Sequence, residues 1–213
     1  KGGSRTFLEV GKTVSVRELL HGIIVQSGND AAIVLAEGIS GTENAFADEM
    51  NFWAKKIGMK NTNFRNSTGW PDPDLTTTAA DLNIMTIELI RRFPVDKYPD
   101  LYPMFAKREY TYNKIRQPNR NPLVYGTAGA DGLKTGHTEE SGYGLVGSAE
   151  RDGQRVIMVL NGMTSMKQRS AESRRLMDLM FREFKTYRLF DKGQPVDQAN
   201  VWLGNAAKVD LVL

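Results

Sequence analysis

Cysteine is absent from all 213 residues, which excludes disulfides, thiol catalysis and thiolate metal sites and leaves the redox compartment open. Histidine occurs twice, as His21 and His137. A histidine-based metal site therefore lacks donors, and a Ser-His-Asp triad would have to recruit one of these two. Neither the P-loop nor the dinucleotide-binding fingerprint is matched, so no cofactor is expected. No apolar run approaches the length of a membrane span, and the first residues show no charged-then-apolar leader pattern. Charge of one sign is also scarce: 28 Lys and Arg stand against 25 Asp and Glu, which implies no basic patch for nucleic acid.

With 40% apolar residues, the chain can bury one sizeable core, and one main domain is expected. Ser15 followed by Glu18 is a capping box, and Val16, Leu19, Leu20, Ile23 and Ile24 recur at helical spacing, which predicts a helix to about Gln26. Ser27-Gly28-Asn29 then reads as a turn. Asp30 is the expected cap of a second helix, and Thr42 of a third with the stripe Phe46, Met50, Trp53 and Ile57 ending at Gly58. Residues 59–77 read as an irregular loop. Thr78 and Asp81 open a helix carrying Leu82, Met85, Leu89 and Ile90, which Pro94 and Pro99 cannot continue.

Strands are expected at Phe7 to Val10, at Glu109 to Tyr112, and on both sides of Asp152-Gly153, whose residues tolerate the positive φ of a tight hairpin. Residues 168–187 read as a helix with Leu176, Met177, Met180, Phe181 and Phe184 inward. Gly193 and Pro195 mark a boundary, after which Asn200 to Leu203 and Val209 to Leu213 read as two short strands, too few for an independent sheet.

Two short motifs carry the chemistry. Lys134-Thr135-Gly136 offers a cation, a hydroxyl and an unhindered backbone in sequence, as a strand lining an anion-binding cleft requires. Such a triplet arises by chance on the order of 0.1 times in a chain this long, and Ser27-Gly28-Asn29 alone is an ordinary helix-to-helix turn. Their order and context together are more specific. With a Ser-x-x-Lys nucleophile motif, they make up the active-site set of penicillin-binding proteins and class A β-lactamases. His21 reads as a packing histidine, Asp131 and Glu139 as turn or surface residues, and Arg120 as structural.

The segments Phe7-Leu8-Glu9-Val10-Gly11, Gln26 to Ala31, Gly58 to Thr62, Gln117-Pro118-Asn119-Arg120-Asn121 and Asp131 to Thr138 resemble the low-molecular-mass penicillin-binding proteins of the serine D-alanyl-D-alanine carboxypeptidase family. The resemblance covers nearly the whole chain. It implies an α/β (α+β) transpeptidase fold of the penicillin-binding-protein/β-lactamase type, with an antiparallel sheet and helices. It also implies removal of the terminal D-alanine from peptidoglycan stem peptides ending in D-Ala-D-Ala, through an acyl-enzyme that β-lactams also form. Carried onto this sequence, Ser27 relays a proton to the departing amine, and Asn29 holds the substrate amide and orients a catalytic lysine. Lys134 supplies positive potential and helps the Ser27 proton transfer. Thr135 binds the terminal carboxylate, Gly136 keeps the strand open, and the His137 backbone N–H is an oxyanion donor, while the His137 imidazole has no derivable role. Arg169 assists carboxylate recognition; its alternative reading is a solvated arginine at a helix start.

The sequence departs from the pattern at the nucleophile, because no serine is followed three residues on by lysine. The expectation is a truncated chain: a domain over 1–190 without its N-terminal part, then the start of a β-rich domain over 191–213. Isolated, such a chain is expected to be inactive and severely destabilised. The full-length protein is expected in the bacterial periplasm, associated with the inner membrane through an anchor absent from this chain. The alternatives are a non-catalytic peptidoglycan-binding module and a β-lactamase.

Overall fold

The computed structural model describes residues 3–212, and helix α1 (Val16–Ile24) begins on the predicted capping box. The Glu18 amide donates to Ser15 Oγ at 3.2 Å and the Ser15 amide to the Glu18 carboxylate at 3.0 Å, satisfying two otherwise orphaned donors. Helix α2 (Asn29–Ser40) follows with Gly28 as its N-cap and no side-chain cap. Asp30 is therefore not the cap. It lies inside the first turn, where its carboxylate accepts from the backbone of Thr6 at 2.7 Å, Leu8 at 3.1 Å and Ala31 at 2.9 Å.

Those bonds explain why Phe7 to Val10 is not a strand. The segment is a strap whose donors are consumed by Asp30, and Phe7 takes φ +67. Lys1, Gly2 and Leu213, which entered the reading of the opening and of the last strand, lie outside the described residues.

Helix α3 (Glu43–Ile57) is capped by Thr42 and closed by Gly58 in the left-handed region, as predicted. Its buried face differs: Ala47 and Ala54 face the core, while Trp53 is 47% exposed and takes Lys56 at 4.5 Å and Arg92 at 6.0 Å over its ring. Small residues let α3 approach its neighbours closely, and the tryptophan is left to a cation–π role. Helix α4 (Ala79–Arg92) is capped by Thr78. Its buried Asp81 accepts from the Asn61 amide at 2.8 Å and from Thr62 Oγ1 at 2.7 Å, anchoring the long loop before it.

The sheets are antiparallel. A small hairpin pairs β1 (Glu109–Tyr112) with β2 (Ile115–Pro118) across Asn113-Lys114, both at positive φ. Strand β2 was not foreseen because it lacks period-two alternation. The main sheet is a three-stranded meander of β3 (Ala130–Thr138), β4 (Gly142–Arg151) and β5 (Gln154–Met163), with Asp152 and Gly153 making the expected turn at φ +50 and +77.

Helix α5 (Met166–Glu183) packs Met177 into a core of Leu123, Leu145, Ala149 and Val156. It ends before Phe184, which is 57% exposed rather than inward. The chain divides into two units, Lys1–Phe181 and Arg182–Leu213. The second contains β6 (Pro195–Asn200) paired with β7 (Lys208–Val212). Residues 201–203, read as strand, fall in the connection between them, where Leu203 adopts φ +57.

Candidate active site

The turn between α1 and α2 is shaped by close packing. A Cβ at Gly28 would lie 2.0 Å from Thr6 Oγ1, and one at Gly22 would lie 2.5 Å from the same atom. Thr6 is fully buried, so the strap wedges one side chain between two glycines, a place where no side chain is tolerated. The Gly28 amide donates to the Gly22 carbonyl and the Asn29 amide to the Ser4 carbonyl, each at 2.9 Å. Gln26, also fully buried, donates to the Tyr110 carbonyl at 3.2 Å and ties the turn to β1. Held from both sides, Ser27 adopts φ +56, a conformation costing roughly 1 kcal/mol for a non-glycine residue.

This places Ser27 Oγ against β3. Lys134 Nζ donates to it at 2.7 Å and to the Thr135 carbonyl at 2.8 Å. The two motifs, 107 residues apart, therefore meet through one side-chain hydrogen bond. Thr135 is buried. Gly136 faces open space, since an added Cβ would meet nothing within 4 Å. The His137 ring is exposed and packs on Tyr143 with 4.0 Å between centroids. Asn29 is half-buried at the first position of α2.

Arg169 is 6% exposed on α5, unlike a solvated helix-start arginine. Its Nη2 donates to the Arg120 carbonyl at 3.3 Å, its guanidinium lies 5.7 Å from the Tyr143 ring, and its buried Nε has no hydrogen-bond partner. Arg120, read from sequence as structural, belongs to the same cluster: its guanidinium hydrogen-bonds Ser4 Oγ and its charge acts on both Lys134 and Arg169. A signal for it existed in the polar run Gln117 to Asn121, where Asn119 and Asn121 are buried brackets for an arginine.

Burial, then the charges of Arg120 and Arg169, push the Lys134 ammonium down to about 8. Burial also lowers Arg169 and Arg120. Among the described residues no carboxylate pairs with any of the three cations. Three like charges without a balancing carboxylate among the described residues leave positive potential at this place.

Asp131 takes no part. Its carboxylate pairs with Arg155 at 2.7 Å and accepts from the Tyr102 hydroxyl at 3.2 Å, a structural network beneath the sheet. His21 is a packing residue, buried and stacked on Tyr110 at 4.6 Å. No group of three or more metal-ligating side chains occurs among the described residues.

The likeness to known proteins agrees with this geometry. A family model described as D-alanyl-D-alanine carboxypeptidase, peptidase S11, matches residues 1–165. The D-alanyl-D-alanine carboxypeptidase DacA of Haemophilus influenzae is 38% identical over 210 residues, covering 98% of this chain and 52% of that protein. The crystal structure of penicillin binding protein 5 from Haemophilus influenzae superposes with a TM-score of 0.87 at 38% identity, over 99% of this chain and 60% of that one. Penicillin-binding protein D2 from Listeria monocytogenes, solved in an ampicillin-bound form, has a TM-score of 0.70 at 33% identity, over 80% of this chain and 69% of that one. The chain thus spans about half the length of the curated relative it matches. Motif order, the contact between the motifs, and the fold that makes it all agree: the chain belongs to the peptidase S11 family of D-alanyl-D-alanine carboxypeptidases.

Proposed function

We propose that this chain forms two walls of the cleft of a serine D-Ala-D-Ala carboxypeptidase that removes the terminal D-alanine from peptidoglycan stem peptides and is acylated by β-lactams. The observation that carries the reading is the 2.7 Å hydrogen bond from Lys134 Nζ to Ser27 Oγ. Because the Ser27 oxygen accepts from the ammonium, its own proton is directed elsewhere. As the peptide bond breaks, Ser27 gives that proton to the departing amine and takes one from Lys134. An ammonium lowered to about 8 suits this exchange, since an acid works best with its pKa near the operating pH.

The leaving D-alanine always carries a carboxylate. Arg169, Arg120 and Lys134 supply positive potential for it and the Thr135 hydroxyl a hydrogen bond. Asn29 holds the substrate amide, and the His137 backbone N–H donates to the oxyanion, a contribution of about 3 kcal/mol in comparable sites. Gly136 leaves the strand open for the peptide to approach.

The reading requires a nucleophilic serine and a lysine base. This sequence does not contain the pair as Ser-x-x-Lys, and the reading assigns it to the rest of a longer protein, in which residues 191–213 begin a β-rich domain. Such an enzyme would work in the bacterial periplasm, associated with the inner membrane by an anchor outside these residues.

The test uses the protein expressed from its complete reading frame. Covalent labelling by fluorescent penicillin and release of D-alanine from a stem-peptide mimic are expected, and Lys134→Ala should suppress acylation strongly. Absence of both activities in a frame lacking Ser-x-x-Lys would leave the non-catalytic peptidoglycan-binding module as the answer. An acylation rate unchanged by Lys134→Ala would remove the role assigned to that lysine.

A further inference from the structure

Tyr143 sits at a deliberate irregularity of the main sheet. It pairs with Met163 while Leu145 pairs with Leu160, so β5 carries one extra residue opposite Gly144, and Gly162 takes φ +74 there. Of the glycines on either side of the tyrosine, Gly142 leaves no room for a side chain and Gly144 is close-packed. A Cβ at Gly142 would meet the Met163 carbonyl at 2.8 Å, and one at Gly144 would meet Asn161 Oδ1 at 2.9 Å. A bulge bends the strand that carries it and sharpens the local twist. The Tyr143 ring, on the strand facing the bulge, lies directly across the sheet from His137, its Cα partner on β3, and contacts that imidazole.

The same ring takes the Arg169 guanidinium at 5.7 Å. Beyond the packing that buries it, Arg169 makes one long hydrogen bond, to the Arg120 carbonyl, and its buried Nε has no partner. Burial and the nearby charge of Arg120 both act against the guanidinium, and an attractive aromatic face offsets part of that cost.

We infer that Tyr143 is a positioning residue for the anion pocket: its ring holds Arg169 beside Lys134, so that the guanidinium is in place before a carboxylate arrives. The inference rests on the carboxylate reading proposed above. The hydroxyl has no part in it, and phenylalanine would serve equally.

The experiment compares the protein from the complete reading frame with Tyr143→Phe, Tyr143→Leu, Arg169→Ala and the Tyr143→Leu/Arg169→Ala double variant. The substrates are an acylated L-lysyl-D-alanyl-D-alanine with a free C-terminal carboxylate and the same peptide as its carboxamide. Tyr143→Leu should lower kcat/KM for the carboxylate peptide roughly tenfold, mainly through KM, and leave the carboxamide peptide unchanged. Tyr143→Phe should match the parent on both, and Tyr143→Leu should add nothing once Arg169 is alanine. If Arg169→Ala abolishes the preference for the carboxylate and Tyr143→Leu does not, the inference fails alone. If Arg169→Ala leaves the preference intact, Arg169 takes no part in carboxylate recognition, and that part of the reading fails with the inference. An equal loss on both peptides in Tyr143→Leu reports general damage to the fold and also overturns the inference.

Discussion

Lys134 carries opposite consequences for chemistry and for stability. Its ammonium, lowered to about 8 by burial and by Arg120 and Arg169, is protonated at neutral pH and hydrogen-bonded to Ser27. On the proposed carboxypeptidase reading, kcat/KM for substrates with a free carboxylate should fall as pH rises through about 8, because the charge and the relayed proton are lost together. Stability moves the other way. The unfolded lysine titrates near roughly 10.4, so between the folded and unfolded values the unfolded chain holds more protons, and raising the pH favours the fold. Lys134→Met should therefore stabilise the protein at pH ~7 and remove its share of the rise in alkali. Urea unfolding of both proteins at two pH values checks this, and a less stable Lys134→Met would show that the charge is well compensated.

Residue identities were the most legible part of the site. Ser27, Asn29, Lys134 and Thr135 were readable as members of two motifs, of which the structure brings Ser27 and Lys134 into contact. Arg120 and Tyr143 were not, since an arginine in a loop and a tyrosine in a strand each have an ordinary structural use.

At the scale of elements, caps and turns were legible and faces were less so. Ser15, Thr42, Thr78, Gly58 and Asp152-Gly153 act within a few residues of chain, and each behaves as its type dictates. Asp30 shows the limit. Its sequence position suits a cap, but its partners Thr6 and Leu8 lie 24 and 22 residues away, and local pattern cannot weigh a tertiary competitor. The outward Trp53 and the exposed Phe184 are the same failure for apolar residues.

The glycine slot around Thr6 gives a test on this scale. Gly28→Ala puts a methyl group 2.0 Å from Thr6 Oγ1, and overpacking of this kind costs about 1–3 kcal/mol or more. Thr6→Ala should recover part of that loss and no more, because the Thr6 backbone nitrogen also lies within 2.9 Å of the added atom. A double variant no more stable than Gly28→Ala would show that the side chain is not the obstruction. Melting temperatures of the three proteins decide the matter.

For the whole molecule, the two units differ in how much they bury. Residues 184–194 are almost wholly exposed and carry no regular structure before β6. Limited trypsin digestion should cut first at Lys185, Arg188 or Lys192 and yield a fragment ending in that stretch, identified by intact mass. First cuts inside the main sheet would show that its exposed strands open more readily than the connection. Gly193 and Pro195 punctuate the chain after the α5 pattern ends, and by its contacts the chain divides between Phe181 and Arg182.

The distance along the chain between Ser27 and Lys134 bears on how the molecule assembles. The meander of β3, β4 and β5 is joined by short turns and can close from local contacts, whereas the Ser27 to Lys134 bond spans 107 residues and must await closure of a long loop. The active site is then among the last parts to form. Changes at Asp152-Gly153 should slow refolding, while Ser27→Ala should leave the refolding rate nearly unaltered and act on unfolding alone. Stopped-flow chevrons would separate the two. A cleft completed so late can change its chemistry by mutation without disturbing the route by which the chain reaches its fold.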